Sequence, residues 1–126
     1  MKLKCLILTV LISLIGCSNE QQSEQIGFVT NGVGSFWVIA SKCVEHAAKE
    51  FSVQTAVDMP AEGVSDQKRI IQTLLARGID GIAVSPIDPE NQTDLLNEAA
   101  ANTFLITHDS DAPNSNRLCF IGIDNY

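Results

Sequence analysis

From residue 26 onward the chain alternates between two patterns, and this alternation constrains the fold more than any other feature. Short, near-continuous apolar runs lie at 26–30, 53–59, 81–85, 104–107 and 119–123. Between the first four of them lie longer stretches whose apolar residues recur three and four apart, as one face of a helix requires. The short runs read as strands covered on both faces, because a strand with one wet face would alternate apolar and polar residues. Strands that alternate with helices build a parallel sheet with helices on both sides. The fold class expected is therefore α/β, a three-layer sandwich around about five parallel strands.

The helices carry local signals of their own. In 35–51 the apolar positions fall at Phe36, Ala40, Cys43, Ala47 and Phe51, with Trp37, Val44 and Ala48 beside them. Ser35 is the expected N-cap and Glu45–Lys49 the expected i,i+4 ion pair. In the second helix Ser65 is a candidate cap, Ile70, Ile71, Leu74 and Leu75 form the inward stripe, and Gly78 supplies the stop. Asp88-Pro89 reads as an N-cap followed by proline at the first helical position. Leu95, Leu96, Ala99 and Ala100 mark the inner face of the third helix. Cys43 and Cys119 sit in apolar surroundings and read as two separate buried thiols.

The first sixteen residues do not fit this scheme. Lys2 and Lys4 precede a run from Cys5 to Ile15 that only Thr9 and Ser13 interrupt. The run is shorter than the roughly 20 residues needed to span a bilayer, and a basic start with a short apolar core is a secretory signal. It ends in Leu14-Ile15-Gly16-Cys17, which resembles the lipobox of bacterial lipoproteins. That resemblance implies cleavage before Cys17 and lipidation of its thiol, so residues 1–16 are an expected signal peptide. The polar stretch 17–25 then reads as a flexible tether to a membrane-held lipid. Cleavage would remove two of the eight Lys and Arg and none of the 15 Asp and Glu, leaving a strongly acidic chain. Such a chain repels a phosphate backbone, so nucleic acid is not an expected partner. A 45% hydrophobic content also excludes a disordered chain.

In parallel sheets ligands sit beyond the C-terminal strand ends, so the loops after the strands hold the candidate site. The first loop has Gly32 and Gly34 but neither a dinucleotide fingerprint nor a phosphate-binding P-loop. It leads instead into Phe36-Trp37, and flat aromatic faces suit the C–H face of a sugar ring. One of the two rings is expected at the ligand, the other divided between ligand and core. After the fourth strand comes His108-Asp109-Ser110-Asp111. An ionised Asp109 accepts hydrogen bonds from two hydroxyls at once. The rival readings of this tetrapeptide are a metal site of His108, Asp109 and Asp111, and a simple turn cap. No Gly-x-Ser-x-Gly elbow and no His-Glu-x-x-His occurs, so no catalytic set is expected and the chain reads as a non-enzyme without cofactor or resident metal.

At this point the residues resemble a family. Ile26-Gly27-Phe28-Val29-Thr30 leading to Ser35-Phe36-Trp37, then Asp66-Gln67-Lys68-Arg69-Ile70, Gly78 to Pro86, Ile106-Thr107-His108-Asp109-Ser110 and Ile121-Gly122-Ile123-Asp124-Asn125 follow in the order of type 1 periplasmic sugar-binding proteins, the ribose-binding-protein-like receptors of ABC transporters. The resemblance covers 26–126 and implies the N-terminal lobe of such a receptor, with strand order 2-1-3-4-5. It implies that Phe36 and Trp37 stack on the sugar and that Asp109 takes its hydroxyls; Asn31 and Ser110, in the loops after the first and fourth strands, are further candidates for ligand contact. Ser110 stands where the sugar binders often carry Arg, and Asp111 is a candidate to compensate. It further implies an exported, lipid-anchored protein in the periplasm or on the outer cell surface, with a sugar or polyol as ligand and a membrane permease as partner. Family members resemble two such lobes, so this chain reads as a truncated form offering half a cleft and an exposed sheet edge. A ligand-sensing receptor lobe and a flavodoxin-like enzyme are the alternative readings.

Overall fold

A computed structural model describes residues 23–123 of the chain. Residues 1–22, with the expected signal peptide, the lipidation site Cys17 and most of the tether, lie outside the described residues, as do Asp124 to Tyr126. The elements follow as β1 (Gln25–Val29), α1 (Ser35–Phe51), β2 (Gln54–Asp58), α2 (Val64–Ala76), β3 (Gly81–Val84), α3 (Thr93–Asn102), β4 (Phe104–His108) and β5 (Phe120–Ile121). The five strands form one parallel sheet in the order β2-β1-β3-β4-β5. The order reverses at β1 and β3, where the chain departs first to one side and then to the other, and open parallel sheets place their ligand crevice at such a point.

The two faces of the sheet are packed differently. Successive strand side chains point to opposite faces. Gly27 faces α2, where a Cβ would lie 2.7 Å from Leu74 Cδ1. Phe28 faces α1 and meets Trp37 edge-on, with ring centroids 6.4 Å apart. The aliphatic core lies on the α2 and α3 side. It joins Val29, Ile82, Val84 and Leu105 of the sheet to Ile70, Ile71, Leu74, Leu95, Leu96 and Ala99 of the helices. Each buried Val, Leu or Ile among them stabilises the fold by about 1.5–3 kcal/mol. On the α1 side the corresponding cluster is aromatic, made of Phe28, Trp37 and His108.

Helix α1 has the expected limits but turns a different face inward. Trp37, Ser41 and Ala48 are buried, whereas Phe36, Cys43 and Phe51 are exposed. The inner stripe is thus shifted by one residue, since two apolar stripes run side by side and the sheet takes the one that brings Trp37 under Phe28. Cys43 is consequently not a buried thiol. Cys119 is not one either: β5 begins only at Phe120, and Cys119 is an exposed free cysteine.

The helix starts differ as well. Neither Ser35 nor Ser65 is an N-cap; that position belongs to Gly34 and Gly63, and no side chain caps either helix. Gly63 has φ 73°, a left-handed conformation that disfavours a side chain there. The ion pair on α1 is Lys42–Glu45 at 2.8 Å, not Glu45–Lys49. Asp88 does cap a turn, its Oδ1 accepting from Asn91 N–H at 3.2 Å. The regular helix, however, begins only at Thr93. Other expectations hold: Ile70, Ile71 and Leu74 are buried with Leu75 packed beside them, and Gly78 leaves α2 at φ 72°.

Candidate functional site

The C-terminal ends of β1, β3 and β4 lie side by side, and the residues that follow them converge. Adjacent parallel strands end in register, with Val29 beside Val84 and Val84 beside Thr107. One or two residues later come Asn31, Ser85 and Asp109. Asp109 Oδ2 accepts from Ser85 Oγ at 3.2 Å and from Asn31 Nδ2 at 3.3 Å. Asn31 Oδ1 in turn accepts from Trp37 Nε1 at 3.0 Å. One amide side chain therefore ties Trp37, the third residue of α1, to the carboxylate after β4.

Each part is held for a physical reason. Thr30 bends the chain after β1, its hydroxyl donating to Gly32 O at 2.6 Å. Trp37 is only 7% exposed, and its indole N–H needs the Asn31 carbonyl as a partner in that setting. Phe36 is 63% exposed and packs edge-on against Trp37 at 4.8 Å. The two rings thus differ in setting: Trp37 is buried and Phe36 is accessible. Asp109 has φ 60°, a left-handed conformation uncommon outside glycine and tolerated by Asp and Asn. Its N–H donates to Ile121 O at 3.0 Å, and the turn aims the exposed side chain at Asn31 and Ser85. Ser110 lies beside them, its N–H donating to His108 O at 2.6 Å, but its side chain joins none of these bonds.

His108 forms the floor beneath. Its ring stacks on Phe28 at 4.3 Å with an interplanar angle of 16°, and meets Trp37 edge-on at 5.6 Å. Nε2 is buried without a hydrogen-bond partner. Burial pushes the imidazole below the ordinary histidine range, against an opposing pull from the Asp109 charge. Burial thereby favours the neutral ring.

Asp111 does not compensate for the absent Arg after Asp109. Its carboxylate pairs with Arg117, whose Nη2 lies 2.8 Å from Oδ2, and it accepts from Thr107 Oγ1 at 2.8 Å. The Arg117 bonds hold its pKa at about 2. Asp111 is thus a clamp for the loop between β4 and β5, turned to Arg117. Among the described residues no three His, Cys, Asp or Glu side chains gather as metal ligands, and the metal reading of 108–111 has no donor set to rest on.

Two contributors escaped the sequence reading. Ser85 reads in the sequence only as the end of the third apolar run, although its hydroxyl is a direct partner of Asp109. Gln67 is fully buried and bonded to the backbone of two strand tips. Its only signal was a polar residue on the stripe continued by Ile70, Ile71 and Leu74. A cavity of about 560 Å³ lies at the opposite end of the sheet between Asp80, Phe104 and Leu118. It shares no residue with the strand tips, which present an open surface.

Residues 26–126 match the family described as periplasmic binding protein domain, and the chain belongs to that family. Solved structures with the same fold include a solute-binding protein of an ABC transporter from Burkholderia graminis in complex with D-arabinose. It is 27% identical, with TM-score 0.78 over 85% of this chain and 38% of that one. GanP, a glucose-galactose binding protein from Geobacillus stearothermophilus, is 27% identical with TM-score 0.76, over 82% of this chain and 38% of its own. A sugar-binding protein of a sugar ABC transporter from Bacillus halodurans is 25% identical with TM-score 0.69, over 78% of this chain and 34% of its own. The chain therefore spans little more than a third of the length of these sugar-binding relatives.

Proposed function

We propose that the strand tips of this chain form one side of a sugar-binding cleft in the receptor of an ABC-type uptake system. The observation that carries the reading is the bridge from Trp37 through Asn31 to Asp109. It sets an aromatic wall and an acceptor carboxylate at a common edge, as a polyhydroxylated ring needs. Phe36 would stack on the C–H face of the sugar while Asp109 accepts from its hydroxyls, a charge-assisted bond stronger than a neutral one. Asn31 and Ser85, now spent on Asp109, would be free to turn to ligand hydroxyls once these replace them. Ser110 lies close enough in sequence to add a rim contact.

The left-handed Asp109 supports the same reading, because non-glycine residues held in sparse conformations gather at ligand sites. Sugar binding by the relatives from Burkholderia graminis and Geobacillus stearothermophilus supports it further. A small ligand is normally buried over most of its surface, which an open edge cannot do. A second lobe closing over the tips would complete the enclosure, and closure by a hinge would present the loaded receptor to its permease. The lipobox-like Leu14-Ile15-Gly16-Cys17 would hold the protein at the membrane outside the cytoplasm. Titration with D-arabinose, D-glucose and D-galactose, carried to concentrations that detect the weak, millimolar binding expected of an open edge, tests the reading, with Asp109→Ala as the comparison. Saturable binding that the variant loses supports it; no binding to any of them, or binding unchanged in Asp109→Ala, contradicts it.

A further inference from the structure

We infer that Gln67 is the positioning residue of this site, acting from α2 through the backbone of the two central strand tips. Thr30 and Ser85 are both fully buried, and their carbonyls lie just past the last rungs joining β1 to β3. A buried carbonyl without a partner is costly. Gln67 Nε2 supplies both, donating at 2.8 Å to Thr30 O and at 2.8 Å to Ser85 O. Its Oε1 accepts from Ile87 N–H at 3.2 Å and from Gln92 Nε2 at 2.9 Å. Gln92 is itself buried, and its Oε1 accepts from Asp88 N–H at 2.9 Å.

All four bonding positions of the Gln67 amide are thus used. No other side chain serves: glutamate cannot donate to the two carbonyls, asparagine is a methylene too short, and methionine fills the space without bonding. The consequence reaches the candidate site in one step on each side. Thr30 precedes Asn31, which holds Trp37 and Asp109, and Ser85 carries the hydroxyl that meets Asp109. Gln67 fixes the spacing of the two tips, and with it the point at which Asn31 and Ser85 converge on one carboxylate oxygen.

The test uses the full chain, held in detergent micelles for its apolar N-terminal run, and a readout that needs no ligand. Trp37 is the one tryptophan, so its indole N–H gives a single NMR signal whose hydrogen exchange reports the bond to Asn31. Gln67→Met and Gln67→Glu are compared with Ile71→Val, a cavity on the same buried helix face that leaves the amide intact. Both Gln67 variants are expected to speed indole exchange at least tenfold relative to Ile71→Val at equal global stability, and to weaken D-arabinose binding about tenfold. Equal exchange in all three variants overturns the inference. Should the Gln67 variants fail to fold, Gln92→Met, one bond further out, carries the test: a smaller change in the same direction supports the inference, and none overturns it. The affinity arm rests on the sugar reading; the exchange arm does not. Absence of binding to D-arabinose, D-glucose and D-galactose alike in the parent would thus count against that reading and leave the role of Gln67 to the exchange result.

Discussion

Asn31 and Asp109 are 78 residues apart in the chain and touch through Nδ2 and Oδ2 at 3.3 Å. The contact exists because β1 and β4 end at the same level of one parallel sheet, on either side of β3. Asn31 also accepts from Trp37, so the amide holds an aromatic and an anionic group in fixed relation. Asn31→Ala should leave the indole N–H of a mostly buried tryptophan unpaired, at a cost of about 1–3 kcal/mol. Chemical denaturation of parent and variant measures the loss, and the fluorescence of Trp37 should shift with it.

Phe36 and Trp37 are neighbours with opposite duties, and their truncations should separate stability from binding. Trp37→Ala removes a core aromatic and should cost about 3–5 kcal/mol. Phe36→Ala alters an exposed ring and should change stability by no more than about 0.5 kcal/mol. On the sugar reading it nevertheless weakens binding. Denaturation midpoints and sugar titrations on the same two variants check both halves.

Asp109→Asn keeps a residue type that tolerates the left-handed conformation and removes the charge. Stability should stay within about 1 kcal/mol of the parent, because the site is exposed and the amide oxygen can still accept from Asn31 and Ser85. Sugar affinity should fall, because a neutral amide is a weaker acceptor for hydroxyls. Thermal unfolding and a titration on one sample distinguish the two effects.

The pH dependence should show two separate falls. His108 is held below the ordinary histidine value by burial, so the unfolded chain binds its proton first as pH drops. Its contribution to stability is complete above about pH 6.5, the unfolded value, and is lost as pH falls towards the folded value. Asp111 is held at about 2 chiefly by its bonds from Arg117. Its contribution is present above the ordinary carboxylate value and is lost as pH falls towards 2. His108→Phe should abolish the first fall, and Arg117→Met should shrink the second; denaturant midpoints between pH 8 and pH 2 check both.

The strand and helix alternation was legible because each strand is a short apolar run and each helix keeps its three-four spacing. Helix α1 was placed to the residue, yet its inner face was misjudged. Phe36-Ala40-Cys43-Ala47 and Trp37-Ser41-Val44-Ala48 both satisfy helical spacing, and only the position of Phe28 in the sheet chooses between them. The caps at Gly34 and Gly63 were hidden because serine has the stronger general preference, while backbone path decided these two positions. Asn31 and Asp109 were chosen singly as strand-tip residues; their contact depends on strand order, which spacing alone does not give. Gln67 precedes the stripe of Ile70, Ile71, Leu74 and Leu75 and received no role of its own, since the carbonyls that require it lie on two other elements.

The most direct measurement is a residue-resolved NMR titration of the chain with D-arabinose, D-glucose and D-galactose, up to concentrations that detect millimolar binding. The account predicts saturable shifts at Asn31, Phe36, Trp37, Ser85 and Asp109 with at least one of these sugars, and none at Phe104 or Leu118 around the opposite cavity. Shifts confined to that cavity, or no saturable shift with any of the three, would contradict it.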